Sequence, residues 1–329
     1  MYTHSYVLTG LPEHDVLYQF SHGQIIFSSL GVRCFFAISG YLITISLLHS
    51  RGLPDYFFKR IIRVFPALWV VIGITMLGGY FLAHKSAATY FTDPTVVKYS
   101  LNAVLRLHPF IDGVFEHNPF KQYINGSLWT VPYEFLMYVI LSAFYFLRHN
   151  KVALRLAMCA LLGVLVPLQI WHHYIYIRYL ELSYEQTIFF ALFFFGGALL
   201  ALFDLPSERM RNVIVAVITL ALVTTMLVGD YEAAQFVLLP PLVIYLGTLR
   251  YRALGWVRRI GDLSYGIYIW GFPVQQLTWY LLHPSQVEMT LISIPVTYVL
   301  AYTSWHLLEK KVLRLKRPMS QPKTAPVLA

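Results

Sequence analysis

The stretch GVRCFFAISGYLIT, residues 31–44, sets Arg33 inside an otherwise apolar run. That run extends over 24–48, and about 20 apolar residues suffice to cross about 30 Å of hydrocarbon as a helix. It therefore predicts a membrane span. A purely structural span has little use for a guanidinium, or for the polar and backbone-opening residues Ser39-Gly40-Tyr41. Ionisable groups at bilayer depth are costly, so Arg33 counts at once as a functional candidate.

Working outward, the whole chain has the same character. Hydrophobic residues make up 57% of it and charged ones 12%, with a mean hydropathy of +0.59, far from a water-soluble domain. Its 329 residues read as an all-α, polytopic membrane helix bundle. Nine full transmembrane helices are predicted at 24–48, 65–84, 127–147, 152–170, 186–203, 212–228, 233–249, 262–282 and 289–308. Lys and Arg gather in alternate connections, at 51–63, 148–155, 209–211, 250–259 and 310–317, while the turns at 229–233 and 283–288 carry none. By the positive-inside rule the basic set is cytoplasmic, the C-terminus with it, in a multi-pass protein of the cell inner membrane. The net charge of +9 then reports orientation and argues against nucleic acid as a partner.

This topology leaves residues 1–23 outside, with MYTHSYVL expected to be the remnant of a tenth, truncated helix. Residues 85–126 form a long external loop with a short amphipathic helix expected near 95–107. Residues 1–317 read as a single membrane domain and 318–329 as a disordered tail. Cys34 and Cys159 show neither a disulfide framework nor a CxxC pattern.

Arg33 lies nine residues into an inward-running span, roughly 13 Å deep. Glu134, in NGSLWTVPYEFLMY, lies roughly 10 Å into another. Similar depth predicts a direct or bridged ion pair, either structural glue or part of a site. Arg60 and Arg63 are spaced i, i+3 and share a helical face at the cytoplasmic boundary. They are either positive-inside anchors or an anion site, since guanidinium forks suit phosphate. Pro66 follows them, where it can start or kink the next span. The twelve histidines form no HExxH or similar pattern, so no metal is expected. Asn125-Gly126-Ser127 matches a glycosylation sequon.

Five segments in order together resemble the acyltransferase family 3 membrane proteins, which O-acylate carbohydrates. They are GVRCFFAISGYLI (31–43), FFKRIIRVFPALW (57–69), SLWTVPYEFLMY (127–138), IGDLSYGIYIWGFPV (260–274) and SWHLLEKKV (304–312). The resemblance implies about ten helices, a cytoplasmic acyl-CoA (acetyl-CoA) co-substrate, no permanently bound cofactor, and a glycan or lipid-linked sugar acceptor of the bacterial cell envelope. It marks His4 as the family's first-helix histidine and Glu134 as its catalytic companion. For substrate and acyl-CoA it points to Ser39, Tyr41, Arg60, Arg63, Trp129, Tyr265 and Tyr268, with Ser264 and Glu309 beside them. Three departures stand out. The family's arginine about ten residues before the histidine would precede Met1, Gly271 stands where members commonly carry a histidine, and Arg33 stands at a position that varies in the family and is often acidic.

The expected chemistry is acyl transfer. His4 takes the proton of a sugar hydroxyl, Glu134 orients His4 or pairs with Arg33, and Arg33, Tyr41 or Trp129 donates to the oxyanion. Arg60 and Arg63 hold the CoA phosphates. The alternatives are a transporter or flippase without chemistry of its own, or an inactive truncated homologue.

Overall fold

The computed structural model describes residues 1–171, 182–249 and 260–315. The tail at 318–329, the basic cluster at 250–259 and His172-His173 lie outside the described residues. Helices dominate throughout. Short α1 (Tyr2–Leu8) and α2 (Val16–Phe20) precede α3 (Phe27–Leu48) and α4 (Leu53–Leu82). The long loop expected on the external side carries α5 (Ala87–Phe91) and α6 (Pro94–Ser100). Then come α7 (Val131–Ser142), α8 (Lys151–Trp171), α9 (Tyr184–Leu200), α10 (Glu208–Val228) and α11 (Tyr231–Thr248). Last are α12 (Ser264–Leu282) and α13 (Gln286–Ser304), which continues through a π-helical turn, Trp305–Glu309.

Six helices among the described residues are long and apolar enough to cross a membrane. Their outer faces suit hydrocarbon: Val213, Val217, Leu220 and Leu227 on α10, and Leu291 and Val299 on α13, are exposed. The other three expected spans are the inner elements. α9 packs against α3, α8 and α11, burying Phe190, Phe193, Phe194 and Phe195. α11 contains Pro240-Pro241, and α12 contains Pro273 and buries the polar Gln275, Gln276 and Thr278.

α3 and α9 touch at their backbones. A Cβ at Gly40 would collide with the Phe194 carbonyl, and one at Gly197 with the Ala37 carbonyl. Small residues let membrane helices approach this closely. One turn away, the Phe36 and Phe190 rings stack at 4.2 Å.

Two boundaries differ from the sequence expectation. The second span begins at Leu53 rather than 65 and runs through Pro66 without a break, 30 residues in all. At about 45 Å it outreaches the hydrocarbon, so Arg60 and Arg63 belong to the helix itself. Pro66 removes one donor, which a buried membrane helix tolerates. The third span opens as a 3-10 helix, Gly126–Thr130, before α7. That tighter winding rises about 2 Å per residue and carries the following residues deeper.

The external loop is pinned by amides. Asn118 Nδ2 donates to Gln276 Oε1 at 2.7 Å, Gln276 Nε2 donates to the carbonyls of Phe120 and Tyr123, and Asn125 Nδ2 donates to the Ile269 carbonyl at 2.9 Å. Asn125 is fully buried with its amide engaged, which removes the sequon at 125–127 from consideration. The amphipathic helix expected over 95–107 is shorter, ending in a 3-10 turn at Val104 before left-handed Leu105. Asp93 caps α6 ahead of Pro94. It also accepts from the Thr95 hydroxyl and from Lys85 Nζ at 2.8 Å.

Gly40→Ala is expected to cost about 1–3 kcal/mol through backbone overpacking, read as a lower melting temperature in detergent. Gly31→Ala, which meets nothing within 4 Å, leaves it unchanged. Equal melting of both variants and the parent would contradict the α3–α9 contact. In the loop, Lys85 and the Thr95 donors hold the Asp93 carboxyl at about 2 instead of its ordinary 3.8. Because the folded value is depressed, this contribution is present above pH ~4 and fades as pH falls toward ~2. Asp93→Asn should therefore be less stable than the parent at neutral pH, the difference closing over that window.

Candidate active site

α3 carries a polar ladder through the bundle, Ser29, Arg33, Ser39 and Ser46, which Ser50 continues just past its end. At the middle rung Ser39 Oγ donates to Glu134 Oε1 at 3.1 Å, and the Tyr138 hydroxyl donates to the same oxygen. Glu134, Ser39 and Tyr138 are all buried, as a carboxylate at this depth must be when protein dipoles replace water. One rung below, Arg60 Nη2 donates to Ser46 Oγ at 3.2 Å. Its guanidinium lies 6.0 Å from the Tyr56 ring and 5.9 Å from the Tyr138 ring. The Arg60 Nε is buried without a hydrogen-bond partner, so donor capacity is left over here. At the foot, Lys59 Nζ bridges Ser50 Oγ at 3.3 Å and Asp55 at 2.6 Å.

The top of the ladder opens outward. Arg33 Nη1 donates to Gln235 Oε1 at 2.5 Å and Nη2 to Ser29 Oγ at 3.4 Å. The Phe189 ring lies 5.1 Å from the guanidinium and the Tyr231 ring 5.9 Å. Arg33 lines an open cavity of about 350 Å3 together with Glu13, His14, Tyr18, Gln24 and Ser29. His4 Nδ1 stands 3.8 Å from Oε1 of Glu13, which lines this cavity, and both side chains are about one-third exposed.

Two expected pairings are corrected by this geometry. Arg33 and Glu134 do not pair. Ser39, which meets Glu134, lies six residues beyond Arg33, hence about 9 Å along α3 and about 120° around it. Because α3 begins at Phe27 rather than 24, Arg33 is about 4–5 Å shallower than its position in the run suggests, and the 3-10 entry to α7 takes Glu134 about 2–3 Å deeper. Nor does Glu134 orient His4, whose carboxylate neighbour is Glu13.

The remaining expected residues divide between core and rim. Tyr41 is half-buried, within electrostatic reach of Tyr245 and Arg211, on a face away from Glu134. Trp129 is partly exposed against Tyr133 and Phe190. The Tyr268 hydroxyl meets Thr130 Oγ1 at 2.5 Å, and its ring stacks on Phe35. Tyr265 donates to the Val64 carbonyl at 3.0 Å. Arg63 bridges Asp262 at 2.7 Å and buried Glu309 at 3.4 Å, so two carboxylates already offset its charge. Ser264 donates to Asp262 Oδ1 at 2.6 Å. At Gly271 an added Cβ would approach the Met1 side chain at 3.2 Å, so α1 packs closely against α12 there.

Sequence reasoning missed Glu13, Tyr138 and Gln235. Tyr138 is i+4 from Glu134 and was legible as a same-face neighbour. Glu13 follows a Gly10–Pro12 turn and Gln235 comes from a distant helix, so only the fold brings them in.

Compared with known proteins, the chain matches the family described as "Acyltransferase domain" over residues 2–306. It is 31% identical to a protein named O-acetyl transferase of Shigella phage Sf6, over 96% of this chain and 92% of that one. Similarity extends to the peptidoglycan O-acetyltransferase OatA of Listeria monocytogenes, at 25% identity over 86% of this chain and 51% of that longer protein. No solved structure matches.

Arg63→Ala should strand the Glu309 carboxylate, which is 3% exposed, and lower stability. Adding Glu309→Gln should recover part of the loss, giving a coupling of about 1 kcal/mol or more in a double-mutant cycle. Strictly additive losses would show that the two do not act as a pair.

Proposed function

The chain belongs to this acyltransferase family, and from that premise we propose that it is a multi-pass membrane O-acetyltransferase acting on a hydroxyl of a cell-envelope polysaccharide. The acetyl donor in this reading is cytoplasmic acetyl-CoA, the protein resides in the inner membrane, and the C-terminus faces the cytoplasm. Similarity to proteins named for O-acetyl transfer supports the group and the acceptor class. The observation that carries the mechanism is the approach of His4 to Glu13, a residue that lines an open cavity.

His4 presents Nδ1 toward Glu13, which leaves Nε2 to take the proton of the acceptor hydroxyl. The hydroxyl oxygen attacks the thioester carbonyl, the oxyanion collapses and the C–S bond breaks. The thiolate leaves with the proton returned from the imidazolium, giving an ester and free CoA. Histidine suits both transfers because its ordinary range lies nearest neutrality. Glu13 holds the ring in one orientation and favours the imidazolium formed in between.

The donor approaches from the opposite face. Arg60, with spare donor capacity near the cytoplasmic end of α4, is the phosphate ligand in this reading. Arg63, already matched by Asp262 and Glu309, holds the last helix in place beside it. In this reading the long pantetheine arm passes along α3 by Ser46 and Ser39, and the buried group at Glu134 parts to admit it. Ser39 lies about 9 Å below Arg33, and the Glu134–Tyr138 pair sits on that path.

With full-length protein in lipid nanodiscs, labelled acetyl-CoA and polysaccharide acceptor, His4→Ala should lower kcat by about 10²–10⁴-fold. Glu13→Gln should lower kcat about tenfold with the KM for acetyl-CoA unchanged, and Glu13→Asp should restore part of it. Wild-type rates in His4→Ala would sink the mechanism.

A further inference from the structure

We propose that the 350 Å3 cavity is a pyranose subsite, with a two-ring slab of His14 and Tyr18 carrying the apolar face of one sugar ring of the acceptor. This rests on the transferase reading above and adds where, and by which side chains, the acceptor is held. The His14 and Tyr18 rings are stacked at 4.4 Å with planes 7° apart, and both line the cavity. Stacked face to face, the two rings cover each other's inner faces, so one outer face, buttressed by the ring behind it, offers flat, polarisable area to the C–H face of a pyranose, whose hydroxyls project around the ring edge. Those hydroxyls need charged and forked partners, and the cavity supplies them. Glu13 accepts from one side, while Arg33, anchored by Gln235 and Ser29, donates from the floor.

The slab is built in place. Asp15 caps α2 by accepting from the Tyr18 N–H at 2.9 Å, and it also binds Thr3 of α1 at 2.6 Å and the Phe27 N–H at the start of α3. One buried carboxylate therefore ties the helix of His4, the helix of Tyr18 and the top of α3 together. Gly23 adopts φ +87°, and a Cβ there would stand 3.3 Å from the end of the Tyr18 ring, so the chain leaves room for that ring alone. Gln24, by contrast, is engaged with the Ser21 and Met226 carbonyls and the Tyr231 N–H, which makes it wall and not ligand. Opposed charges on Glu13 and Arg33 leave the cavity near neutral, matching a polyhydroxylated ring. Because Glu13 also neighbours His4, a ring seated on the slab brings its hydroxyl edge toward the base.

Saturation-transfer NMR on the full chain in nanodiscs, with methyl α-glucopyranoside, N-acetylglucosamine and glucuronate as probes, tests this. At least one sugar should receive saturation from the parent protein. Tyr18→Ala should weaken that binding about tenfold and Tyr18→Phe, which keeps the ring, should retain it. The same variants in acceptor titrations should show the KM for polysaccharide rising about tenfold in Tyr18→Ala only. No transfer to any probe, or equal binding by Tyr18→Ala and the parent, overturns the subsite. Release of CoA thiol from acetyl-CoA with acceptor present is followed separately. Its absence in a protein that still binds sugar through Tyr18 would refute the transferase reading and leave the subsite standing.

Discussion

The backbone contact between α3 and α9 is the constraint on which the arrangement depends. Gly40 admits the Phe194 carbonyl and Gly197 admits the Ala37 carbonyl, so α3 has neither lateral nor rotational freedom against its neighbour. With its rotation set, Ser39 can only face α7, Ser46 can only face α4, and Arg33 must point toward α9 and α11. In hydrocarbon there is no hydrophobic force to hold helices together. Close packing of small residues and satisfied hydrogen bonds do that work, and α3 has both.

Polar groups along α3 sort by depth into two chemistries. The deep group, Glu134 with Ser39 and Tyr138, is closed and buried. An ionised carboxylate there is costly unless its donors are fixed in advance. In the shallow group Glu13 and Arg33 line an open cavity and His4 adjoins it through Glu13, where water and a hydrophilic acceptor can reach it. Arg60, between the Tyr56 and Tyr138 rings, links the deep group to the start of α4. In the proposed reaction this separation lets a nucleotide thioester and a sugar approach from opposite sides.

Much of this was legible in the residues. The apolar runs located the nine long elements, because a helix in lipid must hide its whole backbone, and the five motif segments all fall at helix contacts or ends. Gly261 in the IGDLSYG segment is an example: it adopts φ +104° and a Cβ would strike the Trp305 indole of SWHLLE. The Arg33–Glu134 pair was misread partly on depth: α3 begins at Phe27 rather than 24, which leaves Arg33 about 4–5 Å shallower, and the 3-10 winding of Gly126–Thr130 takes Glu134 about 2–3 Å deeper. Depth also says nothing of azimuth, and 120° around α3 separates Arg33 from Ser39. The His4 partner was illegible for another reason. Glu13 sits beyond a turn at left-handed Gly10, where no periodicity reports which way the chain returns.

The central claim is that acyl transfer occurs at His4, with the thioester threaded up α3 from the Arg60 end. A structure of the full chain bound to a non-hydrolysable acetyl-CoA analogue tests it most directly. The account predicts the acyl carbonyl within about 3–3.5 Å of the position needed for attack beside His4 Nε2, with the nucleotide phosphates at Arg60. An acyl group seated beside Glu134 and remote from His4, or phosphates bound at the external face, would contradict it.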